Sequence, residues 1–167
     1  MRSGTDKPVV TAYIGLGSNL ADPVLQVRGA CEALKQLPET VLLACSSLYL
    51  SPPMGPADQP DYINAAAALE TTLSPHALLA QLQAIEQAQG RVRGARWGAR
   101  TLDLDLLVYG ERVIADDRLN VPHPGLAERA FVLYPLQEIA PNLQIPGLGS
   151  LDKLVANCPK AGLQPYA

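Results

Sequence analysis

The sequence predicts an α+β protein, a mostly antiparallel sheet with helices packed on it. Two observations carry that expectation. Apolar runs with strand character alternate with stretches of helical period, in the order strand, helix, strand, strand, helix, strand. The 167 residues are 48% hydrophobic and 17% charged, enough apolar material for one core and too little charge for a disordered chain. A single domain over residues 1–167 is expected, with no linker, repeat or low-complexity segment.

Each element has its own signal. Val9 to Gly15 reads as a strand closed by Gly-Leu-Gly. Asp22-Pro23 opens a helix, with Asp22 as the capping side chain, and Val24, Val27, Cys31 and Leu34 fall on one face. Pro38 ends it. Val41 to Leu50 is apolar enough for a buried strand. Ser51 to Asp61 holds four prolines and a glycine and reads as a constrained loop. Tyr62 to Thr72 is a third strand, with Tyr62, Asn64 and Ala66 on one face. Ser74-Pro75 caps a second helix striped by Leu78, Leu82 and Ile85 and stopped at Gly90. Thr101 to Tyr109 is a fourth strand, whose leucines suggest a central place. Val113 to Ala115 adds a short edge strand after Gly110. Leu126 to Ile139 is partly helical and interrupted at Pro135, and Ser150 to Ala156 is a last short helix. This order matches the split βαβ plan, a ferredoxin-like α/β sandwich, a plan that hosts many chemistries.

Several function classes are excluded. No apolar run is long enough to span a bilayer as a helix, and Met1 to Pro8 lacks the pattern of a signal peptide. A net charge of −3 argues against a nucleic-acid-binding surface. Cys31, Cys45 and Cys158 are widely spaced, so half-buried or buried thiols in a reducing cytoplasm are expected rather than a disulfide or zinc framework. Gly15-Leu16-Gly17-Ser18-Asn19 is too short for a dinucleotide-binding turn, and there is no P-loop or nucleophile elbow.

Three signals point to chemistry. Asp103 and Asp105 stand at i and i+2, so a strand projects both carboxylates to one face. Two such charges repel unless a cation lies between them, and Mg²⁺ with substrate phosphates is the natural guest. Four of the nine arginines, Arg91, Arg93, Arg96 and Arg100, crowd the glycine-bearing loop just before that strand. Guanidinium forks suit phosphate oxygens. His123, held between two prolines, could donate to a phosphate, whereas His76 reads as a surface residue. Each taken singly could be a solvated polar face. Together they favour a nucleotide site, leaving open a monophosphate-transferring kinase or a non-catalytic nucleotide sensor.

The block Arg96-Trp97-Gly98-Ala99-Arg100-Thr101-Leu102-Asp103-Leu104-Asp105 resembles the signature of the 6-hydroxymethyl-7,8-dihydropterin pyrophosphokinase family. So do Gly17-Ser18-Asn19-Leu20, Gly55-Pro56 with Gln59 through Ala66, and Val121-Pro122-His123-Pro124 with Arg129 through Leu133. The blocks occur in family order from about Val9 to Pro146.

The resemblance implies transfer of the β,γ-pyrophosphoryl unit of ATP to a pterin hydroxymethyl group, with release of AMP. It implies that Asp103 and Asp105 hold two Mg²⁺ ions and that Arg91 and Arg100 grip the moving group. Arg93, Gln83, Glu86 and His123 would contact ATP. Tyr62 and Phe131 would stack on the pterin and Asn64 would read its edge. Ser51, Pro52, Met54 and Trp97 would complete the pterin pocket. A cytoplasmic monomer with no nucleic-acid or membrane partner is implied. Four departures stand out: Ala99 where proline is usual, a loop one residue shorter between Arg93 and Arg96 than in some relatives, Ser51 where threonine is common, and Pro124 after the histidine.

Overall fold

The computed structural model describes residues 8–19, 22–52, 60–90 and 102–166. In chain order the elements that build the main sheet are β1 (Val10–Ser18), α1 (Pro23–Leu34), β2 (Thr40–Cys45), β3 (Tyr49–Ser51), β4 (Tyr62–Thr71), α2 (Pro75–Gly90) and β5 (Asp103–Tyr109). Next come β6 (Ile114–Ala115) and β7 (Asn120–Val121), which pair with each other, and a 3-10 turn at Leu126–Glu128. The chain continues with α3 (Ala130–Ile139), the β8 (Gln144–Ile145) and β9 (Gly149–Ser150) hairpin, α4 (Leu151–Ala156) and β10 (Gln164–Pro165). The main sheet runs β10-β3-β4-β1-β5, with β2 beside β3 along β4, and every pairing is antiparallel. Treating β2 and β3 as one bent strand gives the strand order of the split βαβ plan.

The sheet separates two cores because strand side chains alternate between its faces. On one face Ala12, Ile14 and Leu16 of β1 and Ile63, Ala65 and Leu69 of β4 meet α1 and α2. Val27, Ala30 and Leu34 enter from α1, and Leu78 and Leu82 from α2. On the other face Ala66, Leu107 and Val108 meet Val132, Leu133 and Leu136 of α3 and Leu151 and Val155 of α4. The Ser74 cap is realised, its Oγ accepting the Ala77 N–H at 3.2 Å.

Several local expectations are corrected. β1 runs through Gly15 and Gly17 to Ser18, since both glycines pair with β4 on one side and β5 on the other. Asp22 stands at the start of α1 in a left-handed conformation, φ 63°, and makes no side-chain cap; its carbonyl accepts Gln26 N–H instead. Val41 to Leu50 is two strands, and Val41 and Leu43 are more than half exposed because nothing described pairs with the outer side of β2. The break is made by Ser46. Its N–H donates to Ala66 O and its Oγ accepts Ala66 N–H at 2.9 Å, so a side chain replaces one rung of the ladder.

β5 is the last described strand of the sheet and not a central one. Its leucines report that both faces are covered. A register shift opposite Tyr13 and Ile14 turns Leu106 and Tyr109 to one core and Leu107 and Val108 to the other. Pro135 does not interrupt α3, which continues to Ile139 at the cost of one ladder hydrogen bond; the chain bends at Arg129, whose backbone is extended.

Glu138 fastens α3 to the sheet. Its carboxylate accepts Ser47 N–H at 2.8 Å, Ser47 Oγ–H at 2.7 Å and Tyr49 Oη–H at 2.6 Å. Burial pushes the Glu138 carboxyl up, but the Tyr49 and Ser47 donors outweigh it, and the net direction is down. Burial and the same carboxylate push Tyr49 up to about 12. Because Glu138 binds its proton less readily folded than unfolded, its contribution is complete above the ordinary carboxyl value of about 4.3 and is lost as pH falls through the depressed folded value. Glu138→Gln is therefore expected to lower the unfolding free energy at pH 7 by about 1 kcal/mol, given solvent screening. In urea titrations the gap between variant and parent should close below about pH 4. A gap independent of pH would contradict the assignment.

Candidate functional site

The site begins with the floor that β1 provides. Gly17 is paired with Asn64 of β4 and with Asp103 of β5, and Gly15 with Ala66 and Asp105. A strand residue carries a side chain to one face or the other, so two glycines at i and i+2 leave the face bare between Asn64 and the carboxylates. A Cβ added at Gly17 would lie 3.3 Å from Asn64 Oδ1. The Gly-Leu-Gly run thus makes a recess, not a turn.

That recess is part of a cavity of about 360 Å³, within the small-molecule range of about 300–1,000 Å³. Of the residues expected at the pterin, Ser51, Pro52, Tyr62, Asn64 and Phe131 line it, and so do Asp103 and Asp105. Met54 and Trp97 lie outside the described residues, as do Arg91, Arg93, Arg96 and Arg100. Arg129, which the sequence did not single out for a role, lines the same cavity, its guanidinium 5.8 Å from the Phe131 ring centroid. Its only mark in the sequence was its place in a family block; in the fold a Cβ added at Gly125 would lie 2.6 Å from its Nε.

Asn64 is buried and donates through Nδ2 to Ser51 Oγ at 2.7 Å, which ties β4 to the end of β3. Burial, and then the Asp103 charge, push the Tyr62 hydroxyl up. The two aspartates face the cavity while Leu104 and Leu106 enter the helix-covered core, as the spacing predicts.

Glu86 and Gln83 are on α2, and neither lines the cavity. Gln83 is exposed. Glu86 Oε2 accepts the Leu104 N–H at 2.7 Å, between the two aspartates in sequence. In an antiparallel pair alternate residues turn their backbone groups away from the partner strand, and Glu86 takes up one such group on the open side of β5. His76, expected as a surface residue, pairs at the surface with Asp116 at 2.8 Å.

His123 is held over the carboxylate end of the cleft. Its N–H donates to Leu107 O at 2.9 Å, and its Nδ1 accepts Gly125 N–H at 3.0 Å. Nε2 lies 4.0 Å from Asp105 Oδ2. Burial lowers the imidazole's pKa, Asp105 opposes this, and Arg129 adds to the lowering. With Nδ1 accepting a backbone N–H, the ring's proton sits on Nε2 and faces the aspartate.

A recess lined by a buried amide, two aromatic rings and a carboxylate pair suits an aromatic substrate beside a polyphosphate. Residues 13–141 match the family model described as 7,8-dihydro-6-hydroxymethylpterin-pyrophosphokinase. The chain belongs to this family. It is 54% identical over 152 residues to the 2-amino-4-hydroxy-6-hydroxymethyldihydropteridine pyrophosphokinase of Pseudomonas aeruginosa, covering 91% of this chain and 94% of that one. It is 53% identical over 147 residues to the enzyme of the same name from Haemophilus influenzae, covering 88% and 92%. Its fold is similar to that of wild-type Plasmodium falciparum HPPK-DHPS solved with pterin and p-hydroxybenzoate. There the TM-score is 0.71 at 13% identity, over 92% of this chain and 44% of that longer one. The chain is accordingly an ATP-dependent pyrophosphokinase of folate biosynthesis. Among the described residues no helix is long and apolar enough to cross a membrane.

The recess makes a direct prediction. Gly17→Ala should fold normally but press on the Asn64 amide, an overpacking cost of about 1–3 kcal/mol. Its dissociation constant for 6-hydroxymethyl-7,8-dihydropterin should rise about tenfold or more in calorimetry with an ATP analogue present. An unchanged constant would mean the recess is not where the ring sits.

Proposed function

We propose that the cavity holds 6-hydroxymethyl-7,8-dihydropterin and that Asp103 and Asp105 hold Mg²⁺-ATP at its mouth. The pterin hydroxymethyl oxygen then attacks the β-phosphorus of ATP in line, and AMP leaves. The observation that supports this is the shared lining: Tyr62, Asn64 and Phe131 border the same recess as both aspartates and Arg129. A pterin has two flat faces and a mixed donor–acceptor edge. Tyr62 and Phe131 offer aromatic surface. Asn64, with one N–H given to Ser51, keeps its carbonyl and second N–H for the ring edge.

The aspartates suit Mg²⁺ in particular. This ion commonly binds through one or two carboxylates and completes its shell with water and substrate phosphates. Among the described residues there is no cluster of three or more potential ligands that would form an all-protein cage. Asp103 and Asp105 would hold the ions, two in number, that accompany ATP. When bound, Mg²⁺ would neutralise polyphosphate charge and orient the phosphorus under attack.

The remaining roles follow from charge and proton position. His123, with its proton on Nε2, donates to a phosphate oxygen and does not accept the hydroxyl proton. Arg129 presents a guanidinium to the same phosphates. Arg91 and Arg100 grip the pyrophosphoryl group in the transition state, Arg93 and Gln83 contact ATP, and Trp97 and Met54 close over the pterin. Glu86 contributes by holding the strand that carries the aspartates as well as by proximity to ATP. The chain acts as a cytoplasmic monomer on two small molecules, a reading supported by a cavity lined within one copy.

Turnover of γ-labelled ATP tests the reaction. Labelled pterin diphosphate with AMP is expected. ADP would indicate monophosphate transfer, and absence of turnover would indicate a sensor; either contradicts the proposal. Asp103→Ala and Asp105→Ala should each lose at least about 10²–10³-fold in kcat with unchanged circular dichroism. Arg100→Ala should lower kcat far more than it weakens ATP binding. Full activity in both aspartate variants would remove the metal assignment, and an unchanged kcat in Arg100→Ala would remove that residue's role.

A further inference from the structure

Cys31 and Cys45, 14 residues apart in the chain, come together where α1 crosses β2, with their Sγ atoms 2.9 Å apart. Both are half-buried, and both line a surface hollow with Arg28, Glu32, Ser46 and Ser47. That hollow shares no lining residue with the cavity, and the proposed reaction uses neither thiol. Sulfurs this close need move by less than about 1 Å to reach a disulfide bond length. Solvent and small oxidants reach them through the hollow.

We propose that Cys31 and Cys45 are a dithiol oxidation site that reacts with hydroperoxides and closes reversibly to a disulfide tying α1 to β2. One of the two, as thiolate, attacks a peroxide oxygen of hydrogen peroxide, the O–O bond breaks, and hydroxide leaves and is protonated to water. The second sulfur then attacks the first. The S–S bond forms, the sulfenic oxygen departs as hydroxide, and the proton of the second thiol makes it water. Two thiols lose two hydrogens and two electrons, and one peroxide becomes two waters. A dithiol reductant reverses the change.

The two thiols hydrogen-bond to each other at 2.9 Å, which favours thiolate on one while the other keeps its proton. Lys35 and Glu32, whose charges reach both sulfurs, are paired at 2.9 Å, and Arg28 lines the hollow. Either thiol can attack first and the other resolve. Cys158 is buried against the other core, with Sγ 3.6 Å from Pro159 O, and serves as an internal control.

The test exposes the reduced full chain to hydrogen peroxide, then denatures, alkylates and maps it by mass spectrometry. Alkylatable thiols should fall from three to one, Cys158. A linked Cys31–Cys45 peptide should appear, the intact mass should drop by two hydrogens, and dithiothreitol should restore all of it. In Cys31→Ser and in Cys45→Ser no intramolecular link can form, and oxidation should stop at a sulfenic acid on the remaining thiol of the pair that dimedone traps. Three alkylatable thiols after peroxide, a link through Cys158, or a link between two copies would each overturn the proposal.

Discussion

The pairing of β1 with β4 on one side and β5 on the other is the constraint on which the site depends. It sets Gly17 opposite both Asn64 and Asp103, and Gly15 opposite Asp105. Strand spacing is about 4.8 Å, so groups on β4 and β5 are held two strand steps apart across a bare floor. That span separates the amide proposed to read the ring edge from the carboxylates proposed to hold the metal. A slip of one residue would turn Asn64 and both aspartates into the helix-covered core and lose the recess altogether. The register is protected by the same alternation, since Ala12, Ile14 and Leu16 are buried on the opposite face.

The surrounding elements hold this ladder rather than add chemistry. Glu86 ties α2 to the aspartate strand, Ser46 bends the β2–β3 strand so that Ser51 reaches Asn64, and Glu138 clamps α3, which carries Phe131, to Ser47 and Tyr49. Each clamp uses a polar side chain on a backbone group or hydroxyl that the ladder leaves unmatched. This is economical, because a buried polar group without a partner costs about 1–3 kcal/mol.

Much of this was legible in the sequence for a local reason. Period-two alternation puts Asp103 with Asp105, and Tyr62 with Asn64, on shared faces whatever the rest of the chain does. Helix stripes and the Ser74 cap are similarly local. What escaped was long-range. Gly15 and Gly17 look like turn punctuation until their partners are known. Val41 and Leu43 look buried because hydrophobicity does not say whether a strand has a neighbour on its outer side. The leucines around Asp103 look like those of a central strand, although two covered faces at a sheet edge produce the same pattern. Arg129 carried only a family match, and its place in the cavity appears only in the fold. Cys31 and Cys45 meet only because α1 packs across β2. The roles of the arginine loop rest on resemblance to the family, and its residues lie outside those described.

The carboxylates are proposed to hold the metal nucleotide against the recess that takes the pterin. Paramagnetic relaxation of bound-pterin protons by Mn²⁺, in the presence of α,β-methylene ATP, measures that juxtaposition directly, because the methylene bridge blocks transfer. Strong relaxation in the parent protein, lost in Asp105→Ala while pterin stays bound, is the predicted result. Bound Mn²⁺ and bound pterin with no mutual relaxation would contradict it.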